Sequence, residues 1–218
     1  ELGLVRLLEP PTSDADLLSD QLRRGTYGRP FLVESDGVLT LYFTLSLVQS
    51  SMQLNRPDHL DLAYTRKMMA FLPFYPRPKG LLLLGMGGGS LAKFCYRHLS
   101  RADITVVEID PDVIAFRDAF RVPADNDRFR ILCADAAAYL PTHTSRTDVI
   151  LVDAFDGLGI APELSSPEFY ANAYAKLSGN GILVMNLAGD KAGFDDPLAQ
   201  LAHCFDDRVL SLKVRDGV

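Results

Sequence analysis

The sequence predicts an α/β protein: a doubly wound, mostly parallel sheet preceded by a small N-terminal β-domain. Three observations predict it. From Lys79 onward, short apolar runs alternate with helix-spaced segments, as successive βαβ units require. The first of those runs, Gly80-Leu-Leu-Leu-Leu84, is apolar without alternation, as in a strand covered on both faces. Before Lys79, two β-prone runs are joined by Asp36-Gly37, a strong hairpin signal.

Taken in order, Phe31 to Ser35 and Val38 to Phe43 read as the two hairpin strands, and Leu45 to Leu54 as a third. Leu60, Ala63, Tyr64, Met68, Phe71 and Leu72 fall at helix spacing, which predicts a helix over 60–72. Pro73, Pro76 and Pro78 end it and mark a junction. The first domain is therefore assigned to residues 1–75 and a Rossmann-like nucleoside-binding domain to residues 76–218. In the second domain, strands are expected at Gly80–Leu84, Ile104–Glu108, Phe129–Cys133, Asp148–Asp153, Ile182–Asn186 and Arg208–Val214. Helices are expected at Leu91–Leu99, Pro111–Phe120, Ala136–Leu140, Ser166–Leu177 and Pro197–Cys204. Gly179-Asn-Gly181 reads as a turn. Asp216-Gly217-Val218 looks like a turn entering one more strand, which points to a clipped sheet.

With 48% apolar and 23% charged residues, the chain is not of the disordered class. Its net charge of −6 argues against a nucleic-acid binder and suits a cationic small substrate. Cys95, Cys133 and Cys204 have neither disulfide-ladder nor zinc spacing, so a reducing, cytoplasmic setting is expected. His59, His98, His143 and His203 form no metal-like cluster. Glu1 to Pro10 lacks the basic and apolar regions of a signal peptide. No run approaches the ~18 apolar residues of a membrane span.

The chemistry concentrates where strands end. Gly85-Met-Gly-Gly-Gly-Ser90 joins a strand to a helix, so backbone and free N–H groups can approach a ligand closely. Gly85, Gly87 and Gly89 keep a spacing that differs from the dinucleotide fingerprint, because Ser90 replaces the last glycine. That spacing suits an adenosyl sulfonium. Glu108 ends the second strand of the unit, 19 residues after Gly89, where an acid grips a ribose diol. Asp135 and Asp153 follow the next two strands, so all three acids should converge on one crevice. Asp135 can accept a hydrogen bond from an adenine amino group. Asp156 lies in the loop after Asp153, and two close carboxylates attract an amine and can take its proton.

In these motifs the chain resembles the spermidine synthase (polyamine aminopropyltransferase) family. The likeness runs from about Gln49 to Asn186. Gly85 to Ser90 looks like the family's glycine loop, and Val107-Glu-Ile-Asp110-Pro111 like its second-strand motif. Ala134-Asp135-Ala136 resembles the segment that meets adenine, and Asp153-Ala-Phe-Asp156 the catalytic loop. Leu164 to Tyr170 resembles the stretch that follows. The resemblance implies a methyltransferase-like α/β domain, a homodimer, and decarboxylated S-adenosylmethionine as co-substrate without a metal. It implies that Glu108 and Asp110 lie at the donor, that Asp153 deprotonates the attacking amine, and that Asp156, Tyr64 and Gln49 help bind it. Two positions depart from the pattern. Gly88 stands where the family carries an Asp for the donor's amino group, and Arg66 where it carries an acid. Arg66 or Lys67 would instead meet a carboxylate, which ordinary S-adenosylmethionine retains. Three readings follow: an aminopropyltransferase acting on a diamine such as putrescine, an S-adenosylmethionine-dependent methyltransferase on the same scaffold, or a non-catalytic nucleoside-binding homologue.

Overall fold

The computed structural model describes residues 6–8, 20–22, 24–44, 47–156, 159–187 and 195–214. Strands β1 (Arg6–Leu8), β2 (Phe31–Ser35), β3 (Val38–Thr44) and β4 (Leu47–Gln53) form an antiparallel sheet in that order. Asp36 and Gly37 join β2 to β3 with φ of 51° and 76°. Both are positive, as a two-residue hairpin turn requires. In the β3–β4 ladder, Leu41 faces Ser50 and Tyr42 faces Val48, so Gln49 has no opposite number. This is a β-bulge, a device that re-aims side chains beside functional sites.

Helix α1 (Ala63–Met68) is followed by a 3-10 turn, Met69–Phe71. The helix expected over 60–72 therefore starts later and tightens early. Its beginning is lost because Arg66 donates to the carbonyls of Leu60 and Asp61, both at 2.6 Å. Asp61 is in turn held by Ser51 and Gln53 of β4, each at 2.7 Å. Those bonds keep residues 60–62 out of the helix.

The second sheet contains β5 (Gly80–Leu84), β6 (Asp103–Glu108), β7 (Phe129–Cys133), β8 (Thr147–Val152) and β11 (Leu177–Met185). The crossover helices are α2 (Ser90–His98), α3 (Pro111–Ala115), α4 (Ala136–Thr142) and α5 (Pro167–Lys176). A short hairpin, β9 (Phe155–Asp156) and β10 (Gly159–Ile160), follows β8, and α6 (Asp195–Cys204) follows β11. All pairings in this sheet are parallel and its order is β11-β8-β5-β6-β7. The winding reverses between β5 and β8, which makes a topological switch point at their carboxyl ends. The fold is the expected methyltransferase-like α/β architecture.

The apolar run of β5 splits between two cores. Leu81 and Leu83 join a cluster that includes Leu32, Leu39, Leu41 and Met52 of the antiparallel sheet. Leu82 and Leu84 join a cluster with Leu140, Phe169 and Tyr170 on the other face. Leu82 and Leu84 are fully buried, so truncating either to Ala would cost about 2–5 kcal/mol. Arg29 adds a bidentate bond to Asp112 of α3, at 2.6 and 2.7 Å.

Three further expectations are corrected. Helix α3 ends at Ala115, not Phe120. Beyond it the chain turns, with Val122 N–H bonded to Arg117 O, Arg121 left-handed, and the Phe120 carbonyl taken by Lys93. Residues 179–181 lie inside β11, as a register irregularity between Leu177 and Ile182, rather than in a turn outside it. Residues 208–214 form no strand. Asp206 and Asp207 have positive φ and turn the chain after α6, and among the described residues no neighbouring strand pairs with it. Leu210 is left 68% exposed. The expected turn at 216–218 lies outside the described residues. Among the described residues, no helix is long and apolar enough to cross a membrane.

Candidate active site

A cavity of about 410 Å³ opens at the switch point, within the size range of small-ligand sites. Its floor is the glycine loop. Gly85 leaves β5 with φ 96°, and a Cβ there would lie 2.2 Å from the Asp153 carbonyl oxygen. Only glycine lets the ends of β5 and β8 approach so closely. Gly87 lines the cavity, whereas Gly89 lies behind it as the left-handed N-cap of α2. At Gly88 a Cβ would meet Ser50 Oγ at 2.6 Å and the Phe120 ring at 2.8 Å. The space beside Gly88 is already filled, so the loop is built around a residue with no side chain there.

Glu108 ends β6 and is buried. Its Oε2 accepts from Met86 N–H at 2.8 Å and its Oε1 from Asp110 N–H at 3.0 Å. The carboxylate is thereby locked to the glycine loop while still lining the cavity. A carboxylate has about four acceptor sites, so two remain for a diol. Asp135 follows β7, lines the cavity and caps α4 through Ala137 N–H at 2.8 Å. Ala136, Ile109 and Leu164 supply an apolar lip beside it, and Ile109 is 66% exposed. Asp110 does not line the cavity. It caps α3, accepting from Asp112 N–H at 2.8 Å.

Asp153 follows β8 and is half-buried. Tyr64 O–H donates to its Oδ2 at 3.2 Å and Asn186 Nδ2–H to its Oδ1 at 3.0 Å. Burial pushes the carboxyl up to about 6, against the pull of these two donors. The Tyr64 hydroxyl is itself pushed far up by burial and by the neighbouring carboxylate, so it stays a donor. The result is a carboxylate placed at the cavity wall with an affinity for protons close to neutral pH.

Gln49 lines the cavity, and its amide nitrogen is buried without a partner among the described residues. Ser50 and Thr65 line the same wall, and both are buried. Arg66 does not line it, because its guanidinium is spent on the Leu60 and Asp61 carbonyls. Asp156 lies in β9, and its side chain is outside the described residues. Among the described residues, no three His, Cys, Asp or Glu side chains converge as a metal site.

Sequence reasoning missed Asn186, Glu163 and Ser50. Asn186 was discoverable, since it directly follows a strand of the parallel sheet as Asp153 does. Glu163 stands in a 3-10 turn, Pro162–Ser165, that brings it to the cavity without any local pattern. Ser50 reaches the wall beside a bulge that alternation cannot reveal.

A strand–glycine loop–helix unit, a buried acid at the end of β6 and a carboxylate after β8 thus share one cavity. Comparison with known proteins decides the family. The sequence model of the spermine/spermidine synthase domain matches residues 62–191. The chain belongs to this family. A polyamine aminopropyltransferase of Chromobacterium violaceum is 39% identical over 181 residues, which is 82% of this chain and 69% of that protein. Among solved structures, the spermidine synthase of Thermotoga maritima superposes with a TM-score of 0.66 at 21% identity, over 81% of this chain and 60% of the other. Human methyltransferase-like protein 13, in complex with SAH, gives 0.59 at 26% identity, over 65% and 72%. This family member is thus a transferase on the scaffold that spermidine synthases share with methyltransferases.

Proposed function

We propose that the protein transfers an alkyl group from an adenosyl sulfonium to the nitrogen of an amine, with a diamine such as putrescine as acceptor. The observation that carries this reading is Asp153. It lies in one cavity with the glycine loop and Glu108, oriented by Tyr64 and Asn186, with its proton affinity raised by burial to about 6.

The donor supplies an activated carbon, whose C–S bond breaks as the N–C bond forms, leaving a neutral thioether. The chain supplies the rest. Glu108 takes the ribose diol, Asp135 the adenine amino group, and the loop from Gly85 to Gly89 lets the backbone approach the nucleoside. An amine enters as an ammonium, drawn to Asp153, Asp156 and Glu163. Asp153 takes a proton from the nitrogen, freeing the lone pair that forms the new bond, and later loses it to water. General-base help of this kind is worth about 10²–10⁴ in rate. Positioning the amine in line with the carbon contributes more.

The family's donor is decarboxylated S-adenosylmethionine, which would deliver an aminopropyl group and leave 5′-methylthioadenosine. The likeness to a methyltransferase fold supports a second reading, methyl transfer from intact S-adenosylmethionine. A single-pot competition tests both. The protein is mixed with equal amounts of the two donors and a panel of diamines, and nucleoside products are read by mass spectrometry. 5′-Methylthioadenosine with an alkylated diamine supports the first reading, and S-adenosylhomocysteine the second. If neither forms while methylthioadenosine still binds, catalysis of either kind is refuted for that panel. The three unpaired cysteines fit a cytoplasmic enzyme.

A further inference from the structure

Glu108 is held at both of its oxygens, and the two donors are anchored differently. Oε2 accepts from Met86 N–H at 2.8 Å and Oε1 from Asp110 N–H at 3.0 Å. Met86 belongs to the glycine loop between β5 and α2. Asp110 belongs to the turn that enters α3, a helix of five residues. A helix so short does not hold its own geometry in water. Its position, and with it the Asp110 N–H, must be fixed from outside.

The fixing group comes from the N-terminal part of the chain. Arg29 precedes Pro30, which is buried and biases Arg29 toward extended backbone. Rings on either side clasp this stretch. Tyr27 meets Phe31 edge-on with centroids 5.8 Å apart, and Phe31, only 1% exposed, stacks on Tyr42 of β3 at 5.6 Å. From that anchored backbone, Arg29 Nε and Nη2 donate to the two oxygens of Asp112, at 2.7 and 2.6 Å. A two-pronged guanidinium–carboxylate bond fixes direction as well as distance. Asp112 N–H then donates to Asp110 Oδ1 at 2.8 Å, and Asp110 N–H to Glu108. A continuous chain of bonds thus runs from Arg29 to the acid in the cavity. Ile109, whose side chain lines the cavity, sits between its last two members.

We propose that Arg29, Asp112 and Asp110 are positioning residues for the nucleoside site, orienting the Glu108 carboxylate so that its free acceptor sites meet a ribose diol. The inference rests on the proposed adenosyl-sulfonium reading. It assigns part of the selectivity for ribose to an ion pair outside the cavity. Without that pair the Asp110 N–H shifts, the carboxylate turns about its bond to Met86, and it no longer meets both hydroxyls.

Calorimetry with two uncharged probes, 5′-methylthioadenosine and its 2′-deoxy analogue, tests this. A hydrogen bond to a charged group is worth about 10–100-fold in affinity, so the wild-type protein should prefer the first probe by about tenfold or more. Arg29→Met and Asp112→Asn should each shrink that preference by about threefold or more, with the 2′-deoxy affinity within about twofold of wild type. The double variant should lose no more than either single one, because the two side chains act as one pair. Arg29→Lys keeps the charge but not the fork, so its preference should fall between wild type and Arg29→Met. It carries the test alone if Arg29→Met does not fold. Full preference in a folded Arg29 variant overturns the positioning role. So does an equal loss for both probes, which a merely structural role would give. A wild-type protein that binds the two probes equally overturns the ribose assignment of Glu108 and the positioning role with it. One that binds neither overturns the nucleoside reading beneath them.

Discussion

Replacing Asp153 by Asn should make the protein more stable and less active at once. Burial raises the carboxyl from its usual 3.8 to about 6. That difference corresponds to ~3 kcal/mol by which the ionised carboxylate disfavours the folded state. The sign follows from protonation. Above pH 6 the group is charged in both folded and unfolded chains, and the folded chain bears the full cost. As the pH falls through 6 toward 4 the folded group takes up its proton and the cost disappears. The Asn side chain removes the charge but keeps one acceptor for Tyr64 or Asn186. The other partner must turn away, which forfeits ~1 kcal/mol. The net gain is ~2 kcal/mol at pH 8, or about 4–8 °C in Tm for a chain of this size. Thermal unfolding of both proteins from pH 4 to 8 is the assay, alongside turnover with saturating donor. The Asp153→Asn variant should melt higher at pH 8, the advantage should vanish near pH 4, and turnover should fall about 10²–10⁴-fold. A lower Tm for the variant at pH 8 would refute the argument, since it would mean the ionised carboxylate is a net stabiliser.

Three further outcomes are expected. Glu108→Ala should weaken 5′-methylthioadenosine binding at least tenfold by calorimetry, and unchanged affinity would remove Glu108 from the ribose site. Tyr64→Phe removes a donor that lowers the Asp153 carboxyl, so the acidic limb of the rate–pH profile should move to higher pH; a limb that stays or moves down contradicts the contact. Gly85→Ala places a methyl 2.2 Å from the Asp153 carbonyl at a left-handed φ, so it should cost ~2–5 kcal/mol in denaturant titration. A loss below ~1 kcal/mol would mean that the strand ends separate easily.

Much of this arrangement could be read from the residues because it depends on local rules. The Asp36-Gly37 turn needs two positive φ values, and composition announces them. The unalternating run of β5 signals burial on both sides, and alternate leucines do enter opposite cores. Glu108, Asp135 and Asp153 reach one cavity because parallel strands end on one side. What could not be read depends on long-range bonds. Arg66 unwinds the start of the predicted helix by reaching back to two carbonyls. Lys93 takes the Phe120 carbonyl where α3 was expected to continue. A strand is expected over 208–214, yet a strand exists only where a neighbour offers its backbone. Asp110 carries the motif, yet it caps α3 and does not line the cavity.

The shared core has a mechanical consequence. Leu32, Leu39, Leu41 and Met52 are buried together with Leu81, Leu83, Val106 and Leu151, so the two sheets meet across continuous packed side chains. A close-packed interior does not bend like a joint. The wall formed by Gln49 and Ser50 therefore cannot swing open as a lid over the glycine loop. The spacing between the glycine loop and Asp153 is likewise set once, when the chain folds. A sequence change in the buried face of the N-terminal strands would then alter catalysis from a distance, through the position of that wall.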